Sequence, residues 1–285
     1  MNNAANEEDI VNGTKLARQY GYKIVSPKWG VSRSTYFFNK ESKTIAKGVS
    51  SLKYLSSATA ESLYQLSQTR KYVYFSDVLS DVFSKTPIDT RQLEILIHID
   101  YFSQFGNQRE LLRIFEMFER FKRGSAKQIK RDCVDGTEIE PAVRRYSTWH
   151  TKSGDEAKSY TLVDVSAIVR ECETLIIQSN MPDLDDTTKV RNFADIMGYA
   201  GYISGKESDR KKLYIRDVFP LCRKKDGKQF AYCVLTQSIG SGVEAKFTVF
   251  NRVYNGDPIK AGDVIRLINY QRDGQYFVLT DYSHI

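Results

Sequence analysis

The spacing of apolar residues changes along this chain, and that change constrains the fold more than any other feature of the sequence. Between residues 46 and 123 the apolar residues follow the i, i+3, i+4 spacing of amphipathic helices. From about residue 196 onward they alternate with a period of two, which is typical of half-buried strands. The sequence therefore predicts an α+β multidomain protein with a helical region first and a β-rich domain last.

Two polar turns divide the helical region. The first is LKYLSS at residues 52–57, and Ser57 is the predicted cap of the helix that follows. The second is FSQFGN at residues 102–107, after which Asn107 and Glu110 have the spacing of a capping box. The pattern predicts two helix-turn-helix units in tandem. The apolar face of the last helix comprises Leu111, Leu112, Ile114, Phe115, Phe118 and Phe121.

Short runs rich in β-branched and aromatic residues fill the last part of the chain, and glycine-containing turns separate them. Five or six strands within about ninety residues predict a small closed or nearly closed barrel. The predicted strands are Met197–Ser204, Leu213–Leu221, Phe230–Gln237, Ala245–Asn251, Val264–Tyr270 and Tyr276–Tyr282.

Four segments follow from these patterns. The first segment is too small to bury a core alone, since it holds one helix, Glu8–Tyr20, which Gly21 ends, and two short extended pieces. The third contains a basic stretch, a polar loop and a renewed helical pattern. The predicted boundaries are 1–45 for the initial segment, 46–123 for the tandem hairpins, 124–195 for a helical connector and 196–285 for the barrel.

The second turn has a form that binds nucleic acid backbone, because amide groups at a helix N-terminus attract phosphate. Gly106 permits a tight turn, Asn107 caps the helix and Arg109 supplies charge. An ordinary αα-hairpin with a glycine in its loop is the alternative interpretation. The first turn lacks glycine. The candidate DNA-binding residues of the hairpins are Lys53, Tyr54, Ser56, Gln104, Gly106, Asn107 and Arg109.

The barrel region carries most of the net charge. From Met197 onward there are 14 Lys and Arg against nine Asp and Glu, a balance of +5 in a chain whose total is +7. A basic turn beside aromatic strands is how small barrels hold single-stranded nucleic acid. The alternative is that the aromatic rings fill the barrel and the lysines solubilise a turn. The candidate residues are Arg223, Lys224, Lys225, Lys228, Phe230 and Tyr232.

Other chemistry finds little support in the sequence. The four cysteines form no C-x-x-C pair, and no nucleotide-binding loop, nucleophile elbow or metal-binding histidine pair occurs. We therefore expect no catalytic residue, no metal and no cofactor in this chain. No apolar run approaches the ~18 residues of a membrane span, so we expect no membrane partner and a cytoplasmic location.

Four stretches together resemble the C-terminal portion of the alpha subunit of bacterial-type DNA polymerase III, the family C polymerases. LARQYGYKIVSPKWGVSRSTYFF is similar to the end of that family's fingers domain. TIAKGVSSLKYLSSATAESLYQL and TRQLEILIHIDYFSQFGNQRELL resemble its two helix-hairpin-helix units. RNFADIMGYAGYISG resembles the helix that leads into its OB-fold domain. The family usually has a glycine-containing first turn, whereas Lys53-Tyr54-Leu55-Ser56 stands there in this chain.

The resemblance implies a C-terminal OB-fold-like barrel and a role in replication at the nucleoid, or in host cytoplasm for a viral protein. The family's palm, with its metal-binding aspartates, and its phosphoesterase-like domain would lie before residue 1, so we expect no polymerase activity from this chain alone. The resemblance also implies a sliding-clamp-binding peptide in the connector, for which Gln178, Met181 and Leu184 are the candidates.

Two hypotheses follow. In the first, the chain is a DNA-binding module whose hairpins grip primer-template duplex and whose barrel guides single-stranded template. In the second, it is an interaction subunit that docks on a separately encoded catalytic half and has little DNA affinity of its own. An exposed apolar patch around Ile24, Val25, Phe37 and Phe38 would favour the second. An independent enzyme is the least favoured interpretation.

Overall fold

The computed structural model describes residues 13, 16, 17, 19–197, 201–274 and 276–285. The chain divides into two compact units between Asp183 and Leu184. Helices and mixed sheets make up the first unit, and a closed five-stranded barrel dominates the second. The predicted α+β fold class is confirmed. No helix in these ranges is long and apolar enough to cross a bilayer.

The first unit begins with a small sheet and continues with helices. Its strands β1 and β2 both flank β3, β1 in parallel and β2 antiparallel. The bounds of these elements are β1 (Lys23–Val25), β2 (Phe37–Asn39), β3 (Thr44–Ala46), α1 (Ser57–Thr69), α2 (Phe75–Lys85), α3 (Thr90–His98) and α4 (Gln108–Arg120).

Side-chain caps start the helices much as the sequence predicts. Asn107 accepts the Glu110 amide at 3.0 Å while Glu110 accepts the Asn107 amide at 2.9 Å, so the predicted capping box of α4 is confirmed. Asp89 and Gln92 form a second capping box at α3. The cap of α1 is Ser56, one residue before the predicted Ser57, because it is the Ser56 hydroxyl that reaches the Thr59 amide.

Two features of the helical region differ from the predicted pattern. Helix α2 has no counterpart among the predicted helices. The turn at 52–57 follows a single 3-10 turn, Val49–Ser51, where the tandem pattern predicts a helix. Gly48 precedes this turn, and a Cβ there would lie 2.3 Å from the Ser34 carbonyl oxygen, so the two chain segments pass too closely for any other residue.

Residues 124–183 hold a second small sheet in addition to the predicted helical pattern. The strand order is β4-β6-β5, with both neighbours antiparallel to β6. The helix that follows packs against α2 and α4. The bounds are β4 (Gln128–Lys130), α5 (Glu140–Arg145), β5 (Ser147–His150), β6 (Glu156–Leu162) and α6 (Val165–Gln178).

The carboxylate of Glu173 on α6 caps helix α2. It accepts the amides of Phe75 at 2.5 Å and Ser76 at 2.8 Å, and its residue is only 4% exposed. The N-cap residue of α2, Tyr74, supplies no side-chain cap. A negative charge at this end of the helix is favoured by the helix dipole, which compensates part of the cost of burial.

Trp29 joins the initial segment to the helices. Its amide donates to the Tyr101 carbonyl oxygen at 2.8 Å, and its ring lies 5.5 Å from that of Phe102 and 6.0 Å from that of Tyr72. The side chain is 4% exposed. The predicted helix Glu8–Tyr20 lies mostly outside the described residues. Gly21, which is predicted to end it, has a φ of 78°, the left-handed conformation typical of a helix C-cap.

The second unit consists of a helix, α7 (Asp186–Met197), and the barrel. Val190 and Ala194 of α7 pack with Tyr214, Ile239 and Val264 of the barrel unit. The barrel strands run in the closed order β10-β11-β9-β8-β7. A short helix, α8, lies between β9 and β10 along the chain. The bounds are β7 (Lys212–Cys222), β8 (Gln229–Ser238), β9 (Glu244–Phe250), α8 (Asn251–Tyr254), β10 (Val264–Asp273) and β11 (Tyr276–His284).

This strand order is compatible with an OB-like fold. Five of the six predicted strands are present. The predicted strand Met197–Ser204 is wrong where the structure describes it: Met197 ends α7, and residues 201–204 form no strand. Ser204 makes one backbone bond, its amide donating to the Ile239 carbonyl oxygen at 2.9 Å.

We predict that Glu173 makes folding stability depend on pH. Burial raises the pKa of Glu173 above its ordinary 4.5, although the two amide hydrogen bonds oppose that shift. A raised pKa means that the folded state binds the proton more tightly than the unfolded state. Wild type should therefore lose stability relative to Glu173→Gln as the pH rises from about 4.5 through the folded-state pKa of Glu173.

Urea unfolding across that pH range measures this difference. Glu171→Gln is the control, because it removes the same charge from the same helix, where Glu171 pairs with Arg145 at 2.6 Å. A wild-type advantage that grows with pH would contradict the prediction. Glu173→Ala should cost about 1–3 kcal/mol for each amide left without a partner.

Candidate nucleic-acid interface

The second turn, between α3 and α4, is closed by backbone bonds at its start and by close packing at its end. Asp100 has the left-handed φ of 62°, and the Tyr101 amide donates to the Leu96 carbonyl oxygen at 3.0 Å. Gly106 has no positive φ. Instead, a Cβ there would lie 3.0 Å from Glu110 Oε2 and 3.0 Å from Ile177 Cδ1. Glycine at this position allows the turn to pack against α6.

The N-terminus of α4 is already paired within the chain. The Gln108 amide donates to Asp183 Oδ1 at 3.1 Å, and the Glu110 amide donates to Asn107 Oδ1. Asn107 also donates through Nδ2 to the Met181 carbonyl oxygen at 2.9 Å. Two of the first three amides of α4 therefore have internal acceptors. A phosphate reaches the Gln108 amide only if Asp183 moves away.

Side chains around this turn remain open to solvent. Gln104 and Arg109 are exposed, whereas Gly106 and Asn107 are half-buried. The segment that resembles a clamp-binding peptide lies beside the turn, since Met181 supplies one of its contacts. In that segment Gln178 is exposed and Met181 is half-buried. Leu184, also half-buried, begins the second unit.

The first turn lies against the start of α3. Tyr54 takes a left-handed φ of 66°, the conformation that a glycine would adopt without strain. Its carbonyl oxygen accepts from Gln92 Nε2 at 2.6 Å, and the Arg91 guanidinium lies 3.9 Å from its ring centroid. Lys53 and Tyr54 are exposed, and Ser56 is occupied as the α1 cap.

The two turns therefore lie at opposite ends of α3. This helix has nine residues, which corresponds to about 13 Å along its axis. Exposed cations lie at both ends, Lys53 and Arg91 at the first and Arg109 at the second. The arrangement places positive charge where phosphates of one backbone could approach both turns.

The basic turn of the barrel joins β7 to β8. The Arg223 amide donates to the Lys228 carbonyl oxygen at 2.9 Å, and Gly227 has a φ of 67°, so the turn is tight. Residues 222–229 are all exposed. Lys224 and Lys225 thus lie at the tip, where their charges stay in solvent and act on an approaching backbone without a desolvation cost.

The two predicted barrel aromatics differ in position. Tyr232 packs against the barrel core, and its ring stacks on Tyr254 of α8 with centroids 3.6 Å apart. Phe230 is half-buried, with its ring centroid 6.4 Å from that of Phe250. Phe219 and Phe250 are more exposed, at 46% and 44%. Tyr232 therefore closes the end of the barrel at α8.

Sequence reasoning missed several residues near these turns. Asp183 lies 75 residues from its partner Gln108, and Arg91 sits on a helix with no local sign that it stacks on Tyr54. Both contacts depend on tertiary structure. In the described ranges, no group of three or more His, Cys, Asp or Glu residues is arranged to hold a metal ion.

Residues 21–112 match the family model of the helix-hairpin-helix motif. The match covers about a third of the chain and includes β1–β3, α1–α3 and the start of α4. A comparison with curated protein sequences found no match. The chain thus carries a helix-hairpin-helix motif, which supports DNA binding, followed by a five-stranded barrel compatible with an OB-like fold.

We predict that Asp183→Asn strengthens duplex DNA binding severalfold. The change removes a negative charge from the start of α4 while keeping an oxygen that can accept the Gln108 amide bond. It should lower stability by about 0.3–1 kcal/mol, the usual worth of a carboxylate at a helix N-terminus. Anisotropy titration with labelled duplex measures the first effect, and urea unfolding measures the second.

Asp185→Asn is the matched control. Asp185 caps α7 instead, accepting the Thr188 amide at 2.9 Å, so its replacement changes the net charge equally without touching the hairpin. Equal gains in duplex affinity for both variants would show that net charge alone is responsible.

Proposed function

We propose that this chain is the DNA-binding C-terminal part of a DNA polymerase III alpha subunit, acting in the cytoplasm at the nucleoid. One observation carries the proposal: a helix-hairpin-helix match at residues 21–112 is followed in the same chain by a five-stranded barrel of OB-like order. The four stretches that resemble family C polymerases occur in the same order along the chain as the corresponding parts of that family. Its partners would be primer-template DNA, single-stranded template and a palm-bearing catalytic half.

The hairpins would hold duplex DNA through phosphate contacts. Lys53 and Arg91 at one end of α3 and Arg109 at the other supply the charge, and each phosphate they neutralise releases counterions. Their contacts are independent of sequence, as a replicative polymerase requires. Asp183 limits how closely a phosphate can approach the second turn, since its carboxylate already accepts the Gln108 amide hydrogen bond.

The barrel would hold the single-stranded template. Its balance of +5 is concentrated in part at the exposed turn between β7 and β8. Exposed aromatic rings on the strands can stack bases, which is worth ~1–3 kcal/mol per base and tolerates any sequence. A clamp-binding role for residues 178–184 is part of the same proposal and rests on the resemblance.

The double variant Lys224→Glu, Lys225→Glu tests the proposed division of labour. It should weaken binding of single-stranded DNA more than binding of duplex DNA. The slope of log K against log salt should become shallower by about 0.7 for each phosphate that the variant no longer neutralises. Anisotropy titrations at several salt concentrations with both DNA forms provide the measurement.

The control is the double variant Lys152→Glu, Lys158→Glu, which makes the same charge change at two exposed residues of the first unit. Equal losses on both DNA forms would contradict separate roles for hairpins and barrel. Absence of any preference for DNA over a neutral polymer, at low salt and with the wild-type chain, would refute the proposed function itself.

The edge strand β2 favours a second candidate function, docking on a separate catalytic half. Phe37 and Phe38 are 42% and 41% exposed, and β2 pairs only with β3 among the described residues. An open strand edge with exposed aromatic rings is a surface suited to protein association. Ile24 and Val25, predicted as part of this patch, are half-buried.

If β2 is the docking edge, Phe38→Asp should abolish co-purification with a palm-bearing polypeptide. The new carboxylate would be buried in an apolar interface, which is costly. Val73→Asp is the control, since Val73 is 82% exposed and lies outside the sheet. Retention of the complex by Phe38→Asp would exclude this edge. DNA binding by the isolated chain should be unchanged in both variants.

A further inference from the structure

A groove lies at the end of the barrel where β9 begins. Its volume is about 650 Å³, and β9 and the β10–β11 hairpin form its walls. The basic turn 223–228 lies at the other end, because Ala231 at the start of β8 pairs with Phe250 at the end of β9. The seven residues of β9 separate the two sites by about 20 Å. The groove is thus distinct from the basic turn.

Incomplete pairing between two strands creates this groove. β9 and β11 run parallel and pair at Phe247 with Phe277 and at Thr248 with Val278. The β10–β11 hairpin continues as far as the pair Asp273 and Tyr276. Its tip therefore extends past the paired part of β9, and residues 244–246 line the space beneath it.

Aromatic rings line the groove at inclined angles: Phe247 belongs to the barrel core and is 5% exposed, whereas Phe277 is 37% exposed. The ring centroids of Phe247, Tyr270 and Phe277 lie 5.8 to 6.1 Å apart, and their planes are inclined by 53° to 78°. None of these three rings stacks on another. Tyr270 is 48% exposed, and Tyr276 at the rim is 67% exposed. Contiguous exposed aromatic surface is typical of a ligand-binding groove.

The charge at the rim favours an anion. Lys246 is exposed and has no ion-pair partner among the described residues. The other charged residues there are compensated: Glu244 pairs with Arg216 at 2.8 Å, and Arg210 pairs with Glu207 at 2.8 Å. An apolar peptide would cover Lys246 without neutralising it, whereas a nucleotide brings a phosphate for the lysine and a base for the rings.

Resting on the proposed DNA-binding function, we propose that this groove binds one unstacked base of single-stranded DNA, with Tyr276 stacking on the base and Lys246 contacting its phosphate. The strand then crosses β8 and β9 toward the turn 223–228. A span of about 20 Å suits the site sizes of about 4–16 nucleotides that OB-like domains cover.

Replacing Tyr276 tests the stacking contact. The full chain is titrated by anisotropy with labelled oligothymidylate of about 12 nucleotides, with an abasic oligomer of the same length and with duplex DNA. Tyr276→Ala and Tyr276→Leu should each weaken oligothymidylate binding about tenfold. Tyr276→Phe keeps the ring and should stay within about twofold. Duplex binding should not change. The exposed position of Tyr276 makes these substitutions compatible with folding.

Three results would overturn the proposal. Full affinity in Tyr276→Leu would show that the groove recognises apolar bulk, as a peptide-binding groove does. Equal binding of abasic and thymidine oligomers by wild type would show that no base is held. If Lys224→Glu, Lys225→Glu lost affinity for single-stranded DNA while Tyr276→Ala kept it, base binding in the groove would be refuted and the proposed DNA-binding function would stand.

Discussion

The buried side chain of Glu173 joins α6 to α2 within the first unit. It lies on α6 but accepts the first amides of α2, so a charge that burial disfavours is stabilised by the dipole of another helix. Removing α6 would leave these amides without acceptors in the protein interior. Helix α6 is therefore fixed against α2, and through its contact with Gly106 it also supports the second turn.

Internal carboxylates also determine how the hairpins can meet DNA. Glu173 occupies the start of α2 and Asp183 the start of α4, so these helix ends are neutralised before any phosphate arrives. Attraction then depends on side-chain cations, of which Arg91 and Arg109 are exposed. Such cations act over a Debye length and lose strength in salt, whereas a preformed amide site would not to the same degree.

Local signals explain which elements could be predicted from the sequence. The Asn107–Glu110 box and five barrel strands were predictable, because a cap or an alternating pattern is complete within a few residues. The start of α2 was not, since its cap is a carboxylate 97 and 98 residues away. Tyr54 shows the same limit: its left-handed conformation is held by Gln92 and Arg91, and no glycine marks it. The groove residues required the barrel register before they came together.

The two ends of the barrel differ in how far their strands pair. At the α8 end, Tyr232 and Tyr254 stack on each other and shield the core, while Phe250 stays 44% exposed. At the opposite end, β9 and β11 share only a short parallel pairing, and Phe247, Tyr270 and Phe277 fill the gap at inclined angles. Phe247 stays in the core, so the aromatic surface open at this end belongs to Tyr270, Tyr276 and Phe277. Since preorganisation lowers the cost of binding, rings that the barrel register already holds in place suit the proposed contact with a base.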